Sequence, residues 1–161
     1  MRIYLANLAK YNEGILKGKW IELPVHRKEL HNEIAAVLGA DEEYAIHDYE
    51  NELFAVNEFD SPYVLNKIAG ELEILEHHQL ECYRYLREQG YEHEYAMENI
   101  EDVFYYEQMN LEQVVDELIE QEYWGHIPDE LQWYLDIDKM KRTLEINGYH
   151  ETDTGVFHYP F

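Results

Sequence analysis

The sequence predicts an α+β fold of three small units in a row: residues 1–60 α+β, residues 61–100 all-helical, residues 101–161 α+β again. Three observations carry this. Strand-like runs rich in Ile, Tyr, Val and Phe lie towards the two ends. Apolar residues at helical spacing fill the middle. No repeat, low-complexity tract or Pro/Gly/Ser-rich linker intervenes, so the units are expected to dock end to end. With 161 residues, 46% of them hydrophobic, the chain has enough apolar material for packed cores.

Ile3–Asn7 reads as a first strand and Tyr11-Asn12-Glu13-Gly14 as a turn. Gly18–Leu23 alternates as a second strand, ended by Pro24. Leu30, Ile34, Val37 and Leu38 mark a helix over 26–38, stopped by Gly39. Tyr44–Tyr49 predicts a third strand and Leu53–Val56 a fourth. Ser61-Pro62 is a helix start, with Ser as N-cap and Pro at the first helical position. Leu65, Ile68, Leu72 and Leu75 continue that helix, and Tyr83 and Leu86 extend the pattern to Gly90. A break is expected around His77-His78-Gln79, and a further short helix over 91–100. Asp102–Tyr106 is strand-like. Leu111, Val114, Val115, Leu118 and Ile119 form an amphipathic helix capped by Asn110. After a break over 124–128, Leu131, Tyr134 and Leu135 predict a short helix, Met140 and Leu144 another, and Gly148 a stop. Tyr149–Thr152 and Val156–Tyr159 close the chain as a hairpin around Asp153-Thr154-Gly155.

Charge is the dominant compositional feature. Thirty-five acids face twelve Lys and Arg, a formal net charge of -23. Nucleic acid is excluded as a direct partner, because phosphate contacts need Lys and Arg. An anionic membrane surface is disfavoured for the same reason. No apolar run approaches a membrane span. The chain opens without a basic-then-apolar leader, and Cys82 is its only cysteine, so a reduced cytoplasmic setting is expected.

The acids are concentrated. From Glu88 to Asp138 there is no Lys or Arg. That interval holds Glu88, Glu92, Glu94, Glu98, Glu101, Asp102, Glu107, Glu112, Asp116, Glu117, Glu120, Glu122, Asp129, Glu130, Asp136 and Asp138. A second interval without basic residues, from Glu29 to Asn66, includes Glu42, Glu43, Asp48, Glu50, Glu52, Glu58 and Asp60. Both carry aromatic and aliphatic residues at folding periodicities, unlike a disordered acidic tail. Like charges three or four residues apart on a helix cost a few tenths of a kcal/mol per pair, which interleaved Lys would relieve. A folded chain that accepts this repulsion presents a surface suited to a basic partner. Duplex DNA carries one charge per roughly 1.7 Å of axis, so the formal charge of one chain matches that of about a dozen base pairs.

Motifs for other chemistry are incomplete. His93-Glu94 begins like the zinc signature HExxH, but Met97 stands where the second His belongs. Asp136-Ile137-Asp138 begins like a calcium loop, yet Lys141 takes the place of its Gly and Asn147 that of its Glu. No phosphate-binding, dinucleotide-binding or nucleophile-elbow pattern occurs. The expectation is therefore no enzyme, no metal and no cofactor.

A family resemblance supplies what charge cannot. Ile3-Tyr4-Leu5-Ala6-Asn7-Leu8-Ala9-Lys10-Tyr11-Asn12-Glu13-Gly14, followed by Gly18-x-Trp20, resembles the ArdA family of antirestriction proteins. So do Glu43-Tyr44-Ala45-Ile46-His47-Asp48-Tyr49-Glu50, Ile127-Pro128-x-x-Leu131-Gln132-x-Tyr134 and Gly155-Val156-Phe157. The resemblance implies an elongated, three-domain, acidic homodimer encoded on a mobile element. It implies mimicry of duplex DNA and occupation of the DNA groove in the methyltransferase core of a type I restriction–modification enzyme, blocking restriction and often modification. The rival expectations are an acidic adaptor or chaperone for basic DNA-binding proteins, and a metal-dependent enzyme.

Overall fold

In the computed structural model, which describes residues 1–160, the first sheet is built around β1 (Arg2–Asn7). β2 (Gly18–Glu22) and β3 (Tyr44–Glu50) pair antiparallel on either side of it. The register sets Ile3 opposite Ile21 and Tyr49, and Leu5 opposite Ile46. Ile3 and Leu5 are fully buried, as period-two alternation requires of a strand with one face on a core. Opposite Tyr4 and Leu5 the register of β3 shifts by one residue, leaving His47 unpaired; Ala6, at the end of β1, is buried as well.

The helix α2 (Arg27–Leu38) covers this sheet with Leu30, Ile34 and Val37, and Gly39 ends it at φ 65°. Positive φ is cheap only for glycine, which is why the helix stops here. A short helix, α1 (Leu8–Asn12), precedes the turn at Glu13-Gly14; the sequence predicts only the turn. The fourth strand expected at Leu53–Val56 is absent from the described residues. Val56 and Phe54 instead pack on the core from an irregular loop, and Ile46 N–H of β3 donates to the Glu58 carbonyl at 2.8 Å. The apolar run reflects burial without ladder pairing.

α3 (Pro62–Leu72) starts at Ser61-Pro62 as predicted, although the Ser61 side chain makes no capping bond. Its Leu65 and Ala69 join the core of α2 and the first sheet. The next helix, α4 (His77–Glu88), begins at His77, so the break falls at 73–76, just before the expected His77-His78-Gln79.

The chain divides into two compact units, one from Met1 to Leu80 and one from Glu81 onward. In the second unit, α5 (His93–Asn99) leads through a single 3-10 turn, Ile100–Asp102, to β4 (Phe104–Glu107). α6 (Leu111–Glu120), α7 (Asp129–Gln132) and α8 (Ile137–Ile146) follow, then the hairpin β5 (Tyr149–Thr152) and β6 (Gly155–His158). β6 is the central strand, antiparallel to both β4 and β5. The strand expected at Asp102–Tyr106 thus begins two residues later and ends one residue later.

α6 places Leu111, Val114, Val115 and Leu118 against Leu144, Tyr149 and Val156. Each such side chain contributes roughly 1.5–3 kcal/mol when fully buried. Phe157 is stacked between the rings of Tyr85 and Tyr105, with centroids 4.7 and 4.4 Å away. Gly155 allows the hairpin to close: at φ 148° a Cβ would lie 2.3 Å from the Tyr106 carbonyl oxygen. No helix among the described residues is long and apolar enough to cross a membrane.

Candidate functional site

Amphipathic packing decides where the carboxylates go. On α6, burial of Leu111, Val114, Val115 and Leu118 turns Glu112, Asp116 and Glu120 to the opposite face, spaced four residues apart. Such neighbours stand roughly 5–6 Å apart between Cβ atoms. Asn110 starts this helix with a reciprocal capping box to Gln113, and the Glu151 carboxylate accepts the Leu111 N–H at 2.8 Å. α5 repeats the device: His93 and Ala96 are buried, so Glu94 and Glu98 face solvent. Glu92 occupies the N-cap position of α5, and Glu101 and Asp102 lie in the 3-10 turn that follows.

The other predicted acids lie on short elements and loops. Glu42 and Glu43 precede β3, Asp48 and Glu50 lie on it, and Glu52, Glu58 and Asp60 occupy the loop after it. Glu88 ends α4, Glu107 ends β4 and Glu122 follows α6. Asp129 and Glu130 form the first turn of α7, while Asp136 caps α8 by accepting the Lys139 N–H at 3.1 Å, with Asp138 in its first turn. Of these predicted acids, all are exposed except Asp60 and Glu117, which are half-buried. Asp60 accepts the Asn57 N–H at 2.7 Å, and Glu117 accepts from the Gln121 amide at 2.6 Å.

Cations touch a minority of them. Glu50 is bound by the Arg2 guanidinium, which holds its carboxyl below the usual carboxylate range. Asp136 pairs with Lys139 at 2.8 Å and its carboxyl is likewise held down. Lys141 lies 3.0 Å from Asp138 and 3.9 Å from Glu112. Arg84 approaches Glu88 at 3.8 Å, and His126 stands 3.1 Å from Glu122. Glu94, Glu98, Asp116, Glu120, Asp129 and Glu130 have no ion pair among the described residues, nor do Glu42, Glu43, Asp48, Glu52 and Glu58.

The charge is unevenly shared. Residues 1–80 hold fifteen acids and seven Lys and Arg; residues 81–161 hold twenty and five. The second unit therefore carries about two thirds of the net charge, in the interval that the sequence shows to be free of basic residues.

Several groups with structural roles fall outside the predicted set. Glu81 is buried, 2.6 Å from Arg84 and 3.3 Å from the Thr154 hydroxyl. Asn7 is fully buried: its Oδ1 accepts the Lys10 N–H at 3.0 Å, and its Nδ2 reaches Val37 and Leu38 carbonyls and the Asp41 carboxylate at 3.0–3.3 Å. In the sequence Asn7 reads only as the last residue of the first strand, and nothing there shows that its side chain caps α1 and ties down the end of α2. Cys82 is buried, donates weakly to the Val103 carbonyl at 3.8 Å, and burial pushes its thiol up to about 12. His93, the start of the broken zinc signature, is buried 3.0 Å from the Tyr83 hydroxyl. Asp136, from the broken calcium signature, serves as a helix cap. Among the described residues no group of three or more His, Cys, Asp or Glu is placed to hold a metal ion.

A carboxylate array of this kind can bind cationic surfaces by charge and by accepting hydrogen bonds from Arg and Lys. No curated protein sequence matches the chain. The family model described as antirestriction protein (ArdA) matches residues 3–158, almost the whole length.

Proposed function

Because the chain belongs to the ArdA family of antirestriction proteins, we propose that it blocks a type I restriction–modification enzyme by standing in for duplex DNA in the groove of the methyltransferase core. The observation that supports this most directly is the exposed, largely unpaired set of carboxylates on α5, α6 and α7. In the proposed complex these take the place of phosphates against Lys and Arg of the enzyme. No base edge is presented, so the inhibition does not depend on the recognition sequence of the enzyme. The same reading includes a cytoplasmic homodimer, elongated and composed of three small domains, as the family resemblance implies. Two chains of charge -23 would then match roughly two dozen base pairs of phosphate charge.

The decisive experiment is competition between the purified protein and a labelled duplex for a type I methyltransferase core. Displacement of the duplex at low salt, weakening steeply as salt rises, is the expected result, since exposed charges are screened over about 10 Å at 0.1 M. Failure to displace DNA at low salt refutes the mimicry. Equal displacement of DNA from an unrelated basic protein would favour an acidic adaptor instead. Sedimentation of the free protein tests the dimer.

A further inference from the structure

The first unit contains an apolar groove of about 730 Å³, bordered by Glu50 and Glu52 of the acidic surface but lined mainly by aliphatic side chains that a row of solvated carboxylates does not require. Leu23, Ala69 and Leu72 form its buried floor, and Met1, Pro24, Leu53 and Leu80 its half-buried walls. The volume lies within the range of sites that enclose a ligand or several side chains. The charged side chains at its edge are Glu50 and Glu52 on one stretch of chain and Glu73 on another, and the Met1 ammonium is held beside them by donating to the Leu23 carbonyl at 3.2 Å. Arg2 neutralises Glu50, whereas Glu52 and Glu73 have no ion pair among the described residues. Glu73 is moreover the C-cap of α3, whose last turn contains no basic residue. A helix C-terminus carries roughly half a negative charge, so a carboxylate there is placed against the dipole. The groove thus joins an apolar floor to a rim whose field favours a cation at two separate points.

From this charge complementarity we propose that the groove binds an amphipathic basic segment of a partner protein, a helix whose apolar side chains enter the groove while flanking Lys or Arg meet Glu52 and Glu73. This is helix-in-groove recognition, with anchors repeating at helical spacing. It goes beyond the mimicry proposed above and does not rest on it: the phosphate-like carboxylates need only charge, whereas this site needs an apolar face in register with the charge. Leu53 does not belong to the core cluster of the first unit, so it can be changed without opening that core.

The test is fluorescence anisotropy with a labelled helical peptide of Leu and Lys arranged with one apolar face, added to the full-length protein. The control peptide has the same composition in an order with no apolar face. Tight binding of the first peptide and at least tenfold weaker binding of the second is expected. Leu53→Ser should weaken the amphipathic peptide about tenfold, the worth of roughly two buried methylenes, and leave the control unchanged. Glu73→Gln should weaken it two- to fivefold, less at high salt. Unchanged circular dichroism confirms that both variants fold. Equal binding of the two peptides, or no effect of Leu53→Ser, overturns the proposal. DNA displacement from a methyltransferase core, measured on the same variants, should be unaltered by Leu53→Ser; its failure in the unmodified protein would refute the mimicry while leaving the groove in place.

Discussion

Neutralising two carboxylates of α6, Asp116→Asn with Glu120→Gln, should make the protein more stable and a weaker inhibitor at once. Both side chains are exposed and neither has an ion pair among the described residues, so nothing attractive is lost. Three like-charge pairs disappear: Glu112 with Asp116, Asp116 with Glu120, and Glu117 with Glu120. At roughly 0.2–0.5 kcal/mol each they contribute about 1 kcal/mol of relief. Glu120 also lies in the last turn of α6, where a negative charge opposes the helix dipole by a further few tenths. Helix propensities of the replacements are nearly the same as those of the originals. Urea unfolding at low salt should therefore show a gain of about 1–1.5 kcal/mol, shrinking as salt is added. In the DNA-competition assay the same variant should lose about fivefold at low salt, equivalent to about 1 kcal/mol for two exposed charge contacts. A fall in stability would mean that these carboxylates make attractive contacts that the solvated row does not include. A gain in stability with unchanged competition would remove α6 from the inhibitory surface.

Asn7→Ala removes the cap of α1 and leaves the carbonyls of Val37 and Leu38 without their buried donor. A loss of about 3 kcal/mol is expected in urea unfolding, combining about 1 for the cap and 1–3 for the orphaned acceptors; a loss under 1 kcal/mol would show that water replaces the amide. Gly155→Ala must push Cβ into the Tyr106 carbonyl 2.3 Å away, so a loss of more than about 2 kcal/mol and a changed near-ultraviolet signal from the Tyr105–Phe157 stack are expected. His158 stacks on Tyr149 at 4.0 Å, and burial lowers its pKa below the ordinary 6.5. The folded protein then binds fewer protons than the unfolded chain, so its contribution is present above pH 6.5 and is lost as pH falls through the depressed value. Comparing urea midpoints at pH 7 and pH 5, His158→Phe should show a smaller drop than the unmodified protein; an equal drop would assign the pH dependence to other groups.

Much of the fold is legible in the sequence because local physics dictates it. The strand-forming run Ile3–Asn7, the Leu30/Ile34/Val37 spacing closed by Gly39, and Asn110 ahead of Leu111 each match an element of the structure. The misreadings have a common origin. Leu53–Val56 is apolar because Val56 and Phe54 fill the core, yet its backbone joins no ladder. Local periodicity reports burial, and burial alone does not distinguish a strand from an irregular segment. The sequence marks only the turn at Tyr11-Asn12-Glu13-Gly14 and not the helix Leu8–Asn12, because that helix is little more than a single turn, held by the Asn7 cap.

The sequence by itself determined the sign of the surface and the family: net charge, the two intervals without Lys or Arg, and a match over residues 3–158 need no coordinates. Only the tertiary structure decided which acids are available. Glu81 and Glu151 are as acidic on paper as Asp116, but one is buried beside Arg84 and Thr154 and the other caps α6. Those partners are distant in sequence except for Arg84. The separation of structural from solvated carboxylates depends on which chain segments meet, and that is set by packing of the apolar faces and not by the acids themselves.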